Sequence, residues 1–235
     1  MSERKPTLYL GIDVQTVRGC PYVVLDRSGE PVDSGWLSGG FDNVVRGLAK
    51  VTDRHRRTIG SPLAVGIDAP RQPLSSPRQW YWDGIRASWR PSRSSDGGNG
   101  RHCEIVIAAH RLANPQWTPH RPPFPPWMRL GFALFAALEK RAPTYEVFPS
   151  ASYTLLAGDA SLRIGVRLNH FAPGPKDMLD AYVAAATVRE YVQGRGFAVG
   201  GGDALGKIIL PRPLPKPIEG VLVWPADSAG GPADD

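Results

Sequence analysis

The chain has 235 residues, 42% of them hydrophobic and 21% charged, enough apolar material for one large core and too little charge for a compositionally disordered protein. Lys and Arg outnumber Asp and Glu by 28 to 22, a formal net charge of +6, which favours an anionic partner such as nucleic acid.

Residues 7–13 read as a first strand, Tyr22–Asp26 as a second and Pro31–Leu37 as a third, with Arg27-Ser28-Gly29-Glu30 as the turn between the last two. Phe41–Arg57 has helical spacing: Val44, Val45, Leu48 and Val51 line one side, and Arg46, Lys50, Arg54, Arg56 and Arg57 the other. Leu63–Asp68 is a fourth, buried strand, and the order strand, strand, strand, helix, strand yields a mixed sheet. From Pro70 to Pro126 the chain turns Pro-rich, with arginines interleaved among Trp80, Tyr81, Trp82, Trp89 and Trp117. Within this insertion Pro91–Gly100 reads as the least ordered part and Cys103–Leu112 as a helix. Trp127–Lys140 is an apolar helix, Thr144–Phe148 a fifth strand, and Ser150 caps a short helix ending at Gly158. Pro175 starts a last long helix to about Gln193, in which Ala181, Ala184, Ala185 and Ala186 permit close packing on the sheet. Two short apolar pieces follow, Lys207–Leu210 and Gly220–Trp224. The expected organisation is one domain over residues 1–224 and a disordered tail over 225–235.

The two cysteines, Cys20 and Cys103, form neither a CxxC pair nor a disulfide framework, which points to a reducing, cytoplasmic setting. The first apolar stretch meets Asp13 too soon for a signal peptide, and Leu130–Leu138 is too short to span a bilayer, so no membrane partner is expected. Oligomeric state leaves no mark in the sequence.

The acidic residues carry the chemistry. Asp13 and Asp68 each close an apolar strand, so both emerge at a strand's carboxyl end, where open α/β sheets build their sites. Asp177 and Asp180, three apart in the first turn of a helix, share a face. Both answer the positive helix amino terminus without any ligand, an effect of about 0.3–1 kcal/mol; a bound cation would reverse their mutual repulsion. Convergence of these acids would make a set of hard-cation ligands, suited to Mg2+ or Mn2+ with substrate phosphate. Glu146, in a short strand, either joins them or faces solvent.

The first-strand Gly-Ile-Asp, the later Ile-Asp-Ala-Pro, the Glu-Val-Phe-Pro-Ser segment and the closing Asp-x-x-Asp-Ala helix resemble the predicted RNase H-like nucleases grouped in a family of unknown function, distantly similar to RuvC-type resolvases. The resemblance spans roughly residues 7–195. It implies an RNase H-like α/β fold: a five-stranded mixed sheet in order 3-2-1-4-5, helices on both faces, and the Pro/Arg/Trp-rich insertion at about 70–126. It implies metal-dependent phosphodiester hydrolysis of DNA or RNA, with Asp13, Asp68, Asp177 and Asp180 as catalytic, metal-binding acids and Glu146 as a further ligand. Arg71, Arg101, Lys176 and Trp80 are the expected nucleic-acid contacts. Arg101-His102-Cys103-Glu104 looks like another motif of the family. Two alternatives stand beside the nuclease: a non-catalytic nucleic-acid-binding module whose Arg/Trp insertion stacks bases, and an actin-like or sugar-kinase-type ATPase, for which neither Val14-Gln15-Thr16 nor Ala69-Pro70-Arg71 supplies a Gly-rich phosphate loop.

Overall fold

The computed structural model describes residues 7–58, 63–157 and 175–225; the expected tail beyond Pro225 and the helix end at Gly158 lie outside the described residues. Elements run β1 (Leu8–Asp13), β2 (Cys20–Leu25), β3 (Pro31–Leu37), α1 (Phe41–Thr58), β4 (Leu63–Asp68), β5 (Trp80–Asp83), β6 (Ser88–Pro91), α2 (His102–Ala109), α3 (Pro126–Leu138), β7 (Thr144–Val147), α4 (Pro149–Leu156), α5 (Pro175–Val192), β8 (Phe197–Gly200), β9 (Lys207–Leu210) and α6 (Glu219–Leu222). The fold is mixed α/β.

The central sheet has seven strands in the order β3-β2-β1-β4-β7-β9-β8, not five. Its first five positions follow the expected 3-2-1-4-5 order, with β7 as the fifth strand. The two additional strands come from the stretch after α5, where Gly194 and Gly196 signal a helix end and hide the short strand that follows. β1, β4, β7 and β9 are parallel neighbours, flanked by the antiparallel β2 and β3 on one side and the antiparallel β8 on the other. At the β2–β3 turn the Asp26 Oδ1 accepts the backbone N–H groups of Ser28, Gly29 and Glu30 at 2.8, 2.9 and 3.0 Å.

Alternation along β1 and β4 sorts their side chains onto two faces. Leu8, Leu10, Ile12, Leu63, Val65 and Ile67 pack with α1 and α3, whereas Tyr9 and Ala64 pack with α5. On the α5 face the next positions are Gly11 and Gly66, paired in register. A Cβ at Gly11 would collide with the Ala181 carbonyl oxygen and the Ala185 backbone, and one at Gly66 would lie 2.6 Å from Val188 Cγ2. The two glycines therefore form a trough for the Ala-rich side of α5. That close approach sets the height of the α5 amino terminus above the strand ends.

The insertion is more ordered than its composition suggests. Trp80–Asp83 and Ser88–Pro91 form a two-stranded hairpin in which Trp82 faces Trp89 across the ladder. The stretch Pro91–Gly100 is tied down by Asp96, which accepts from Arg90 Nη1 and Nη2 at 2.7 and 2.9 Å. Trp89 meets the rings of Trp82, His102 and Trp224 edge-on, and its Nε1 donates to Gly220 and Val223 carbonyls. These tryptophans pack the insertion against α6. No helix among the described residues is long and apolar enough to cross a membrane.

Gly11→Ala is expected to lower stability by about 1–3 kcal/mol through overpacking beneath α5, while Gly40→Ala, whose Cβ would meet nothing within 4 Å, stays within about 0.5 kcal/mol of wild type. Chemical denaturation of both variants tests the trough.

Candidate active site

Asp13 and Asp68 are register partners at the ends of the parallel neighbours β1 and β4, so they stand side by side on the α5 face, one strand spacing of about 4.8 Å apart along the backbone. Asp177 and Asp180 come from the first turns of α5, and Asp13, Asp177 and Asp180 are all buried. The four acids act on one another: burial first, then Asp180 and Asp177, push the Asp13 carboxyl up to about 7 against a hydrogen bond from Gln15. Burial, followed by the charges of Asp13 and Asp180, drives Asp68 well above the usual carboxylate range.

Each of three acids has its own partner. Gln15 Nε2 donates to Asp13 Oδ2 at 3.0 Å. Asp180 accepts from Tyr153 Oη at 2.8 Å and from Lys176 Nζ at 2.6 Å. Asp177 Oδ1 accepts from Arg18 Nη2 at 3.1 Å, while its buried Oδ2 meets no donor. Among the described residues, no three His, Cys, Asp or Glu side chains form a ready metal-ligand group. The donor set itself is all carboxylate oxygen, the kind that hard divalent cations take, and the bare Asp177 oxygen is an open valence within it.

A cleft of about 440 Å³ opens beside the acids, lined by Asp13, Asp68, Asp180 and Lys176 and walled on the insertion side by Asn114, Pro115 and Gln116.

No family model, curated protein or solved structure matches this chain.

Glu146 lines the same cleft but points from the opposite face of the sheet. It pairs in register with Ile67, one position before Asp68, so the pleat sends it to the opposite face. There Arg101 takes it: Nη1 donates to Glu146 Oε2 at 2.8 Å, Nη2 pairs with Oε1, and the Arg71 backbone N–H donates to Oε2 at 3.0 Å. Its carboxyl borders the cleft with both oxygens already accepting hydrogen bonds. Burial raises its pKa, and the Arg101 charge opposes that rise.

Arg101 likewise leaves the list of phosphate contacts. It is 1% exposed and holds Glu104 as well, from Nε at 2.9 Å and Nη2 at 2.8 Å. Glu104 also accepts from the Arg101 and Thr118 backbone N–H groups at 3.1 and 3.0 Å. The Arg101-His102-Cys103-Glu104 motif is thus a buried framework for the start of α2. His102 completes it by accepting from the Gly202 N–H at Nδ1, 3.1 Å, and facing the Val221 carbonyl from Nε2 at 2.8 Å.

Arg71 is committed on the α3 side: Nη2 donates to the Thr144 carbonyl at 2.7 Å, Nη1 pairs with Glu139, and the guanidinium lies 4.6 Å from the Phe135 ring centroid. Trp80 lines a different cavity, together with Arg78 and Trp224. Of the four expected nucleic-acid contacts, Lys176 alone lines the acidic cleft with an exposed side chain. Gln15, Arg18 and Tyr153 were not legible as site residues, because loop and short-helix positions carry no periodicity that aims them.

Two expectations follow. An Asp whose carboxyl is raised from 3.8 to about 7 binds a proton more firmly folded than unfolded, so the stability it permits is full below about pH 4 and is lost as pH rises through 7. The loss is on the order of 2–4 kcal/mol. Asp13→Asn removes it, so in metal-free buffer the variant should be the more stable protein at pH 8 and the two should draw level near pH 4; melting curves at both pH values check this. Arg101→Ala strands two buried carboxylates and should cost about 3–5 kcal/mol at neutral pH, measured by denaturant titration.

Proposed function

We propose that this protein is a divalent-cation-dependent nuclease of RNase H-like architecture, hydrolysing phosphodiester bonds in DNA or RNA at the Asp13, Asp68, Asp177 and Asp180 cluster. The observation that carries the reading is the side-by-side register of Asp13 and Asp68 beneath the acidic amino terminus of α5. Asp13 and Asp68, buried beside each other and beside the acids of α5, are raised by burial and like charge, a cost that Asn at the same positions would not carry. The order of β3, β2, β1, β4 and β7, with the acids at the ends of the first and fourth strands and at the last long helix, agrees with the RNase H-like arrangement. The excess of basic residues suits a polyanionic substrate.

Bound Mg2+ or Mn2+ would supply Lewis-acid stabilisation of the phosphate and a water of lowered pKa. The chain's own residues do the positioning. Asp13, between β4 and α5, is coupled to every other acid of the group. Tyr153 orients Asp180 through its hydroxyl, and Gln15 orients Asp13 through its amide. The 114–116 wall limits entry from the insertion side.

The test incubates the full chain with labelled single- and double-stranded DNA and RNA, with and without Mg2+ or Mn2+. Cleavage should require the ion and fall by at least about 100-fold in Asp13→Asn and in Asp68→Asn, with circular dichroism unchanged. Full activity in both Asn variants, or no cleavage of any substrate under any ion, overturns the proposal.

A further inference from the structure

Two basic side chains stand within the carboxylate group. Arg18, in the loop between β1 and β2, meets Asp177 Oδ1 at 3.1 Å, and Lys176, at the start of α5, meets Asp180 Oδ2 at 2.6 Å. Each pair joins an exposed cation to a buried acid: the Arg18 and Lys176 side chains keep 56% and 76% of their surface, the acids 5% and 10%. Such pairs are lopsided. A water-facing cation loses little by leaving, whereas a buried carboxylate left without a counter-charge is costly, so each cation is held only until another charge serves the acid better.

The second oxygen of Asp177 is buried without a donor. Arg18 therefore satisfies half of that carboxylate, and a cation able to take both oxygens would displace it. Once displaced, both side chains have somewhere to go. Lys176 lines the cleft, as do Gln15, Thr16 and Val17 just before Arg18, and Val17 is 92% exposed, which places this loop at the rim.

On the divalent-cation reading given above, we propose that Arg18 and Lys176 are exchangeable counter-ions: they hold Asp177 and Asp180 in the cation-free protein and turn to the phosphates of a bound nucleic acid when a divalent cation takes those carboxylates. Cation and polyanion then bind cooperatively, each raising the affinity of the other by the same factor. Arg18 and Lys176 are positioning residues in this scheme, because they act on the carboxylates and the phosphate and on no reacting atom.

The experiment compares the full chain with an Arg18→Gln/Lys176→Gln variant, using Ca2+ as probe ion in isothermal titration and a labelled single-stranded DNA in fluorescence anisotropy over a salt series. Without DNA, the variant should bind Ca2+ roughly three- to tenfold more tightly, since two exposed ion pairs no longer compete. With Ca2+ present, the wild-type salt dependence of DNA binding should steepen by about one to two units of slope as two cations are released to phosphate, and that of the variant should not. If wild type binds Ca2+ but the variant binds it equally or more weakly, or if the wild-type slope does not respond to Ca2+, the counter-ion inference fails and the cation site stands. If wild type binds neither Ca2+ nor Mn2+, the cation site falls and this inference with it.

Discussion

Like charges crowd at the carboxyl ends of β1 and β4 because the backbone packing beneath them allows α5 to come down almost onto the sheet. Gly11 and Gly66 remove the two Cβ atoms that would hold it off, and the alanines at 181, 184 and 185 remove bulk from the other side. With the helix at that height, its acidic first turns have to share space with Asp13 and Asp68. The apolar contacts of α5 along the rest of its length offset the repulsion, as burial of even a few aliphatic side chains outweighs carboxylate interactions of a few kcal/mol. The site is in this sense an imposition by the fold on its own acids: burial first, and then the charges of Asp180 and Asp177, raise the Asp13 carboxyl.

A second charge system sits on the other face of the same sheet edge and behaves oppositely. Arg101, Glu104 and Glu146 are buried together and satisfied by one another, by Thr118 and by backbone N–H groups. One guanidinium between two carboxylates joins α2 to β7 and to the loop at Thr118, so it fixes the insertion against the sheet and places the 114–116 wall. Removing Arg101 leaves both buried carboxylates without their counter-charge, so the guanidinium is the tie on which this cluster depends. The pleat alone separates it from the aspartates: Glu146 and Asp68 differ by one register position, and one position is one face.

That single register step also marks how far the sequence could be read. The strand ends at Asp13 and Asp68 were visible because each closes an apolar run, and the shared face of Asp177 and Asp180 follows from helical spacing. The alanines of α5 announced close packing. Which face of β7 carries Glu146 depends on how β7 slides along β4, a tertiary alignment that no local pattern encodes, and so the residue pattern leaves Glu146 open between the acid group and solvent, with no sign of its pairing to Arg101. Arg101 misled for a related reason: an arginine in a basic, aromatic stretch looks like a phosphate contact until its burial is known. The hairpin β5–β6 and the strands β8 and β9 are too short, at four residues each, for alternation to stand out against neighbouring Gly and Pro.

The two charge systems divide the labour at this edge. A site that binds and releases an ion needs carboxylates whose present partners are weakly held, and Asp177 and Asp180 have such partners in side chains that remain largely in water. A wall that keeps its shape through such an exchange needs the contrary, charges so buried and mutually satisfied that no passing ion can compete for them, as Arg101, Glu104 and Glu146 are. Arg101 and Glu146 line the same cleft as Asp13, Asp68 and Asp180, so the anchoring cluster shapes that cleft directly while its guanidinium stays bound to its own two carboxylates.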